Sequence, residues 1–116
     1  AALARVKEAF GVSTVRVWGK PPELVEQVAV AGGSGGDLIG EARLLGAQLL
    51  VTGEVRHHQA VPGFLEDFAV AEVGHFASEA VFMPGWARQL ARLFDDKDLA
   101  VQVLAAAAGQ APFACL

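Results

Sequence analysis

Apolar and polar positions recur with two different periods along the chain, and the changes of period mark the elements. Residues 3–10 repeat apolar positions at the spacing of an amphipathic helix, which should end at Gly11. Residues 14–18 alternate apolar with polar side chains, as a half-buried strand does. Gly19-Lys20-Pro21-Pro22 predicts a turn, because the prolines have no backbone N–H to donate. A second strand over residues 25–31 would then pair antiparallel with the first.

An ordered unit then occurs three times: a short apolar run, a glycine, polar residues and a predicted helix. The apolar runs cover residues 28–31, 49–51 and 69–73. The helices predicted after them cover residues 37–45, a segment with His57 and His58, and residues 76–82. This alternation is typical of βαβ units. The sequence therefore predicts an α/β fold, with a mixed, largely parallel sheet and helices packed on it.

The last part of the chain predicts one more helix and one more strand. Pro84 stands at the start of a helix over residues 85–94, where its missing N–H costs nothing. Residues 99–103 alternate as a final strand would. Because no linker or low-complexity stretch interrupts the 116 residues, we expect a single α/β domain over residues 1–116.

The polar groups of the three repeated units predict where a site would lie. In open α/β sheets, ligands bind outside the carboxyl ends of the strands, where loops meet helix N-termini. All three strand-to-helix junctions carry glycine and polar residues. We therefore expect these junctions to converge at one edge of the sheet.

Composition narrows the class of protein. A hydrophobic content of 53% argues against disorder. With a net charge of −4, the chain lacks the excess of basic residues that a nucleic-acid binder needs. A single cysteine, Cys115, excludes an internal disulfide and indicates a reducing, cytoplasmic setting. Neither a signal peptide nor a membrane span is visible, so no membrane partner is expected. The chain begins without methionine inside a helical pattern, which is typical of a fragment.

His75 and Glu79 are candidate metal ligands. They stand four residues apart, so on a helical turn they share one face. A neutral imidazole and a carboxylate together suit zinc, iron or manganese. The alternative is a helix-capping histidine beside a solvated glutamate, and two ligands do not complete a metal site.

His57 and His58, close to Glu54, form a second cluster. Adjacent helical side chains point about 100° apart, so only one of them would normally face a cleft shared with His75. His58 is a candidate general acid–base or substrate ligand, since imidazole titrates near neutral pH. Two surface histidines are an equally good interpretation.

The glycine-rich residues 32–36 do not match a nucleotide fingerprint. Leu38 occupies the third glycine position of a dinucleotide motif begun at Gly33, and no lysine follows as in a P-loop. Gly33, Ser34 and Gly35 could still present backbone N–H groups to an anion. Asp37 would compete for that positive end of the helix, which favours a structural turn or a metal-linked role over tight phosphate capture.

Four sequence blocks stand in a specific order. They are Val28-Ala29-Val30-Ala31-Gly32-Gly33-Ser34-Gly35-Gly36, then Gly46-Ala47, then Thr52-Gly53-Glu54 with His58-Gln59-Ala60, and finally Gly74-His75-Phe76-Ala77-Ser78-Glu79. In this order they resemble the NIF-three-like family, whose members carry the name GTP cyclohydrolase I type 2. The ending Ala111-Pro112-Phe113 is also similar to that family's C-terminus.

The resemblance implies one lobe of a two-lobed protein about twice this length, with two divalent metal ions between similar α/β lobes. His75 and Glu79 match the ligands of the C-terminal lobe. The other ligands, a His-His pair and an aspartate, would come from an N-terminal lobe, and His57-His58 is not that pair. Glu72 stands where many members carry aspartate.

The function implied by the resemblance is metal-dependent hydrolysis on an unsettled substrate. His58 would move a proton as the catalytic residue, and the Gly33-Ser34-Gly35 loop with Glu54 would contact the substrate. The family also implies homo-oligomers, hexamers among them, and a protein partner. A non-catalytic oligomeric scaffold is therefore the alternative, and a phosphate-binding regulatory module is a third option resting on the glycine loop alone.

Overall fold

The computed structural model describes residues 2–61, 67–106, 109, 111 and 112. Within it the chain forms two compact units, Ala1–Glu79 and Ala80–Leu116. The single domain expected over residues 1–116 stays a prediction. Phe64, an aromatic residue expected in the core or at an interface, lies outside the described residues, as do Cys115 and the end of the Ala111-Pro112-Phe113 motif.

The first unit alternates helices and strands in the predicted order. Its elements are α1 (Ala2–Phe10), β1 (Arg16–Lys20), β2 (Val28–Ser34), a 3₁₀ turn (Gly36–Leu38) that leads into α2 (Ile39–Leu44), β3 (Leu49–Glu54), α3 (His57–Ala60), β4 (Phe68–Glu72) and α4 (His75–Ala80). The three strand–helix units predicted from the sequence are confirmed. The predicted first helix is confirmed as well, and it ends where Gly11 takes a φ of +65°.

The four strands form one mixed, largely parallel sheet, as predicted. Their order is β1-β4-β3-β2, with β2, β3 and β4 parallel to one another and β1 antiparallel to β4. Because parallel strands end at the same edge, the loops after β2, β3 and β4 meet there.

The predicted hairpin between the first two strands is wrong. β1 and β2 lie at opposite edges of the sheet, and β1 pairs with β4 instead. All five residues of β4 are buried, so its backbone N–H and C=O groups are shielded from water and need a paired strand on each side. Residues 21–27 can span roughly 23 Å when extended, which exceeds the three strand spacings of about 14 Å that they cross. Gly19 and Lys20, expected in a turn, belong to β1.

Apolar clusters on both faces fix the central strands. On one face, Val6 of α1 belongs to the same buried cluster as Leu49 and Val51 of β3. On the other face, Leu50 and Val70 pack with side chains from α2 and α3. Leu50 and Val70 are almost fully buried, and each such side chain contributes about 1.5–3 kcal/mol relative to exposure. The strand ends that carry the polar groups are thus held by a packed core.

The second unit contains α5 (Met83–Asp96), with Pro84 in its first turn as predicted. The helix ends in a Schellman arrangement, in which the Leu99 N–H donates to the Phe94 carbonyl and Asp98 takes a φ of +53°.

The last strand predicted over residues 99–103 is wrong, since the described residues there form neither helix nor strand. The helix cap uses the Leu99 N–H, and the Val101 N–H donates to the Leu99 carbonyl in a tight turn. Two donors that a strand would offer to its neighbour are therefore used locally.

One face of α5 is apolar and exposed. Met83, Trp86, Leu90 and Leu93 follow one another at helical spacing and are all exposed. Such a face suits contact with another chain, and the homo-oligomer and protein partner expected from the sequence stay predictions. Across the described ranges, none of the helices combines the length and apolar character needed to cross a membrane.

Candidate functional site

The loops after the three parallel strands converge at the carboxyl edge of the sheet, as predicted. The residues brought together are Gly33 and Ser34 at the end of β2, Glu54 at the end of β3, and His75, Ser78 and Glu79 on α4. The hydrogen bonds that join different elements here link residues 20 to 45 positions apart in the sequence. The packing of the strands, and not the local chain, therefore assembles this edge.

His75 lies at the centre of this edge with a carboxylate on each ring nitrogen. Its Nδ1 lies 3.1 Å from Glu54 Oε1, and its Nε2 lies 3.2 Å from Glu79 Oε1. All three side chains are about half exposed. The i, i+4 spacing that singled out His75 and Glu79 in the sequence does place their polar atoms side by side.

The two carboxylates raise the pKa of His75. The hydrogen bond to Glu54 is the larger cause and the negative charge of Glu79 is the next. A neutral imidazole carries one N–H, so one nitrogen would face a carboxylate oxygen with lone pair against lone pair. A second proton or a metal cation removes this repulsion.

The raised pKa gives a testable prediction for the metal-free protein. We expect the His75 ring to titrate above the ordinary histidine pKa in an NMR titration with chelator present, and Glu79→Gln to bring the pKa closer to that ordinary value. Because the pKa of His75 is higher in the folded state, its ion pairs stabilise the fold fully at pH values below the ordinary histidine pKa. This contribution is lost as the pH rises through the raised pKa of the folded state. Glu41→Gln, an exposed carboxylate on α2, is the control. An equal His75 pKa in wild type and Glu79→Gln would contradict the prediction.

Ser78 and Thr52 clamp Gly33 between β3 and α4. The buried Ser78 Oγ accepts a hydrogen bond from the Gly33 N–H at 2.8 Å and donates to the His75 carbonyl at 2.8 Å. Thr52 Oγ1 donates to the Gly33 carbonyl at 3.2 Å. Sequence reasoning missed both residues. The sequence carried one signal for both, a hydroxyl side chain next to a recognised motif. Ser78 follows His75 by three residues, and Thr52 directly precedes Gly53-Glu54.

Gly33 leaves open the space beside the His75–Glu79 pair. A Cβ on this residue would lie 2.8 Å from Glu79 Oε1 and 3.5 Å from His75 Nε2. Gly33 also has a φ of +69°, which side-chain-bearing residues rarely adopt. Both observations explain why glycine stands here.

The glycine loop uses several of its donors within the protein. The Gly35 N–H donates to the Glu54 carbonyl at 3.3 Å, and Ser34 Oγ donates to Glu54 Oε1 at 3.3 Å. The Gly33 N–H is taken by Ser78. The substrate-contacting role of Gly33, Ser34, Gly35 and Glu54 stays a prediction, as does any phosphate binding.

The adjacent histidines on α3 have different surroundings. The His57 and Trp18 rings pack in a T-shaped arrangement, with ring centroids 5.7 Å apart. His58 is exposed, and its catalytic role stays a prediction. Glu72 is buried, accepts a hydrogen bond from the Val55 N–H at 2.7 Å and lies 3.3 Å from Arg16. The longer acid at this position therefore fixes the turn between β3 and α3.

The donor atoms of His75 and Glu79 fit a divalent metal ion. Bonds of about 2.0–2.1 Å place two ligands of a tetrahedral ion about 3.3 Å apart, close to the 3.2 Å between Nε2 and Oε1. The space that a Cβ at Gly33 would fill lies next to both atoms. Within residues 2–61, 67–106, 109, 111 and 112, no group of three or more His, Cys, Asp or Glu side chains could hold a metal ion.

Comparison with known proteins gives concordant matches. The Duf34/NIF3 (NGG1p interacting factor 3) family matches residues 1–112. A GTP cyclohydrolase 1 type 2 homolog of Bacillus subtilis is 32% identical over 111 residues, which are 96% of this chain and 30% of the relative. A Clostridium perfringens protein of the same name is 34% identical over 79 residues, covering 64% of this chain and 28% of the relative.

A solved structure is similar to this chain as well. The crystal structure of a Bacillus cereus protein related to NIF3 has a TM-score of 0.80 and 32% identity, covering 97% of this chain and 31% of that one. The chain spans about 30% of the length of the curated relatives it matches. The expectation that such proteins are about twice this length is therefore wrong for these relatives, which are about three times as long.

Proposed function

Because this chain belongs to the Duf34/NIF3 family, we propose that it supplies two ligands, His75 and Glu79, to the divalent-metal site of a NIF3-like hydrolase. The observation that carries the proposal is the 3.2 Å approach of His75 Nε2 to Glu79 Oε1 at the carboxyl edge of the sheet. Glycine at position 33 keeps the space beside both atoms free.

The remaining ligands are proposed to come from a second lobe. Two donors leave most of a coordination shell to water, and the curated relatives extend well beyond the matched part. A pair of ions, of zinc, iron or manganese, would lie between the lobes. An imidazole with two carboxylates around it suits these metals better than it suits magnesium or calcium.

The reaction proposed for the completed site is metal-dependent hydrolysis. A divalent metal in this position would activate a water molecule and polarise the bond that the water attacks. His58, exposed on α3, would accept or deliver the proton. The reaction class comes from the relatives' name, GTP cyclohydrolase 1 type 2 homolog, and the substrate is left open. A non-catalytic scaffold is the second candidate, and the exposed apolar face of α5 supports it.

Zinc titration of the 116-residue chain tests the two proposed ligands. We expect weak binding by calorimetry, because water completes the shell, and a loss of affinity of at least about tenfold in His75→Ala and in Glu79→Ala. Circular dichroism would confirm that each variant is folded.

His57→Ala and Glu41→Ala are the matched controls for that titration, since each removes the same kind of donor elsewhere in the chain. Both should bind zinc as the wild type does. Unchanged affinity in His75→Ala would reject the proposal. Tight stoichiometric binding that survives both ligand variants would show that other residues hold the metal.

A further inference from the structure

We propose that Glu54 is a positioning residue for His75. Its carboxylate accepts the Nδ1–H of the ring and so directs the Nε2 lone pair toward the ion shared with Glu79. The inference rests on the proposed function, because it concerns the same metal site. Its geometric basis is the 3.1 Å distance between His75 Nδ1 and Glu54 Oε1.

Glu54 is held on its own side of this contact. It is the last residue of β3 and stands opposite Ser34 in the register with β2. Its carbonyl accepts from the Gly35 N–H at 3.3 Å, and its Oε1 also accepts from Ser34 Oγ at 3.3 Å. Backbone and side chain are therefore both tied to the end of β2 and the residue that follows it, which limits where the carboxylate can move.

His75 is held on the other side through its backbone. The Val73 and Gly74 N–H groups donate to the carbonyls of Thr52 and Gly53, at 2.9 and 3.0 Å. The His75 carbonyl accepts from the buried Ser78 Oγ. The start of α4 is thus fixed to β3 immediately beside Glu54, so the His75 backbone is held where its ring can reach the carboxylate.

The proton count then assigns the roles of the two carboxylates. Once Nε2 binds a cation, the single proton of a neutral imidazole must reside on Nδ1. Glu54 Oε1 is the acceptor within reach of Nδ1, whereas Glu79 Oε1 lies beside Nε2. Metal-binding histidines commonly donate their second N–H to a carboxylate, which fixes the tautomer and raises ligand basicity.

Glu54→Ala and Glu54→Gln test this inference in the full 116-residue chain with zinc as the probe. Alanine removes the acceptor, so zinc affinity should fall by about tenfold or more. Glutamine keeps a carbonyl acceptor without the charge and should restore most of that affinity. In ¹H–¹⁵N spectra of the zinc-loaded protein, the His75 Nδ1–H signal should be present in wild type and Glu54→Gln, and lost in Glu54→Ala. Glu41→Ala should change neither measurement.

The outcomes separate this inference from the proposed function. If His75→Ala abolishes zinc binding but Glu54→Ala changes neither affinity nor the Nδ1–H signal, the positioning role is rejected and the ligand assignment stands. If Glu54→Gln loses as much affinity as Glu54→Ala, Glu54 acts through its charge or as a ligand, which also overturns the positioning role. If His75→Ala leaves zinc binding unchanged, the proposed function itself fails.

Discussion

Replacing Gly53 with alanine is expected to lower the free energy of unfolding by about 3 kcal/mol or more, at the upper end of the cost of overpacking. A Cβ on Gly53 would lie 2.5 Å from the Gly33 carbonyl oxygen, 2.5 Å from Ser78 Oγ and 2.9 Å from His75 Cα. Two of these atoms belong to the backbone, which cannot rotate away as a flexible side chain can. Relief requires β2 or α4 to move off β3, and this strains the hydrogen bond between the Gly33 N–H and Ser78 Oγ.

Thermal unfolding followed by circular dichroism measures this cost. At roughly 4 °C per kcal/mol for a domain of this size, Gly53→Ala should melt about 12 °C below wild type. Gly40→Ala is the control, because a Cβ at Gly40 meets nothing within 4 Å, and its melting temperature should stay unchanged or rise slightly. A melting temperature for Gly53→Ala equal to that of Gly40→Ala would contradict the close packing of β3 against α4.

Replacing Gly33 with alanine is expected to reduce both stability and zinc binding. Its φ of +69° strains any residue with a Cβ, at a cost of about 1–2 kcal/mol. Crowding against Glu79 Oε1, at 2.8 Å, is relieved when this half-exposed side chain moves, and the movement displaces the carboxylate from His75 Nε2. We therefore expect a loss of about 1–2 kcal/mol in the free energy of unfolding, from the backbone strain. Zinc affinity should fall at least as far as in Glu79→Ala.

Gly11→Ala separates the two contributions. Gly11 has nearly the same φ, +65°, and a Cβ there meets nothing within 4 Å. It should lose only the strain of about 1–2 kcal/mol in chemical denaturation and bind zinc as the wild type does. Equal zinc affinity in the two variants would show that Gly33 does not shape the metal site.

The parts of the fold that local patterns encode were predictable from the sequence. Hydrophobic periodicity and glycine stops identified α1 and the three strand–helix units, because these signals arise within about ten neighbouring residues. The partner of β1 was not predictable in this way. It depends on β4 needing a second neighbour, and β4 lies some fifty residues further along the chain. The strand expected over residues 99–103 failed because hydrogen-bond use, invisible in the hydrophobic pattern, decided its conformation.

The candidate site likewise has one part that was predictable from the sequence and one part that was not. The i, i+4 spacing was sufficient to pair His75 with Glu79, since one helix carries both. The contacts of Glu54 with His75 and of Ser78 with Gly33 join residues 21 and 45 positions apart. These contacts follow from the register of the parallel strands, which no local pattern in one sequence reveals.

Anomalous diffraction from a zinc-soaked crystal of this chain, recorded at the zinc absorption edge, tests the central claim most directly. The claim predicts a peak at the carboxyl edge of the sheet, within bonding distance, about 2.0–2.2 Å, of both His75 Nε2 and Glu79 Oε1. The Glu54 carboxylate should remain on Nδ1. A crystal that binds zinc at other residues while His75 and Glu79 stay without a peak would contradict the account.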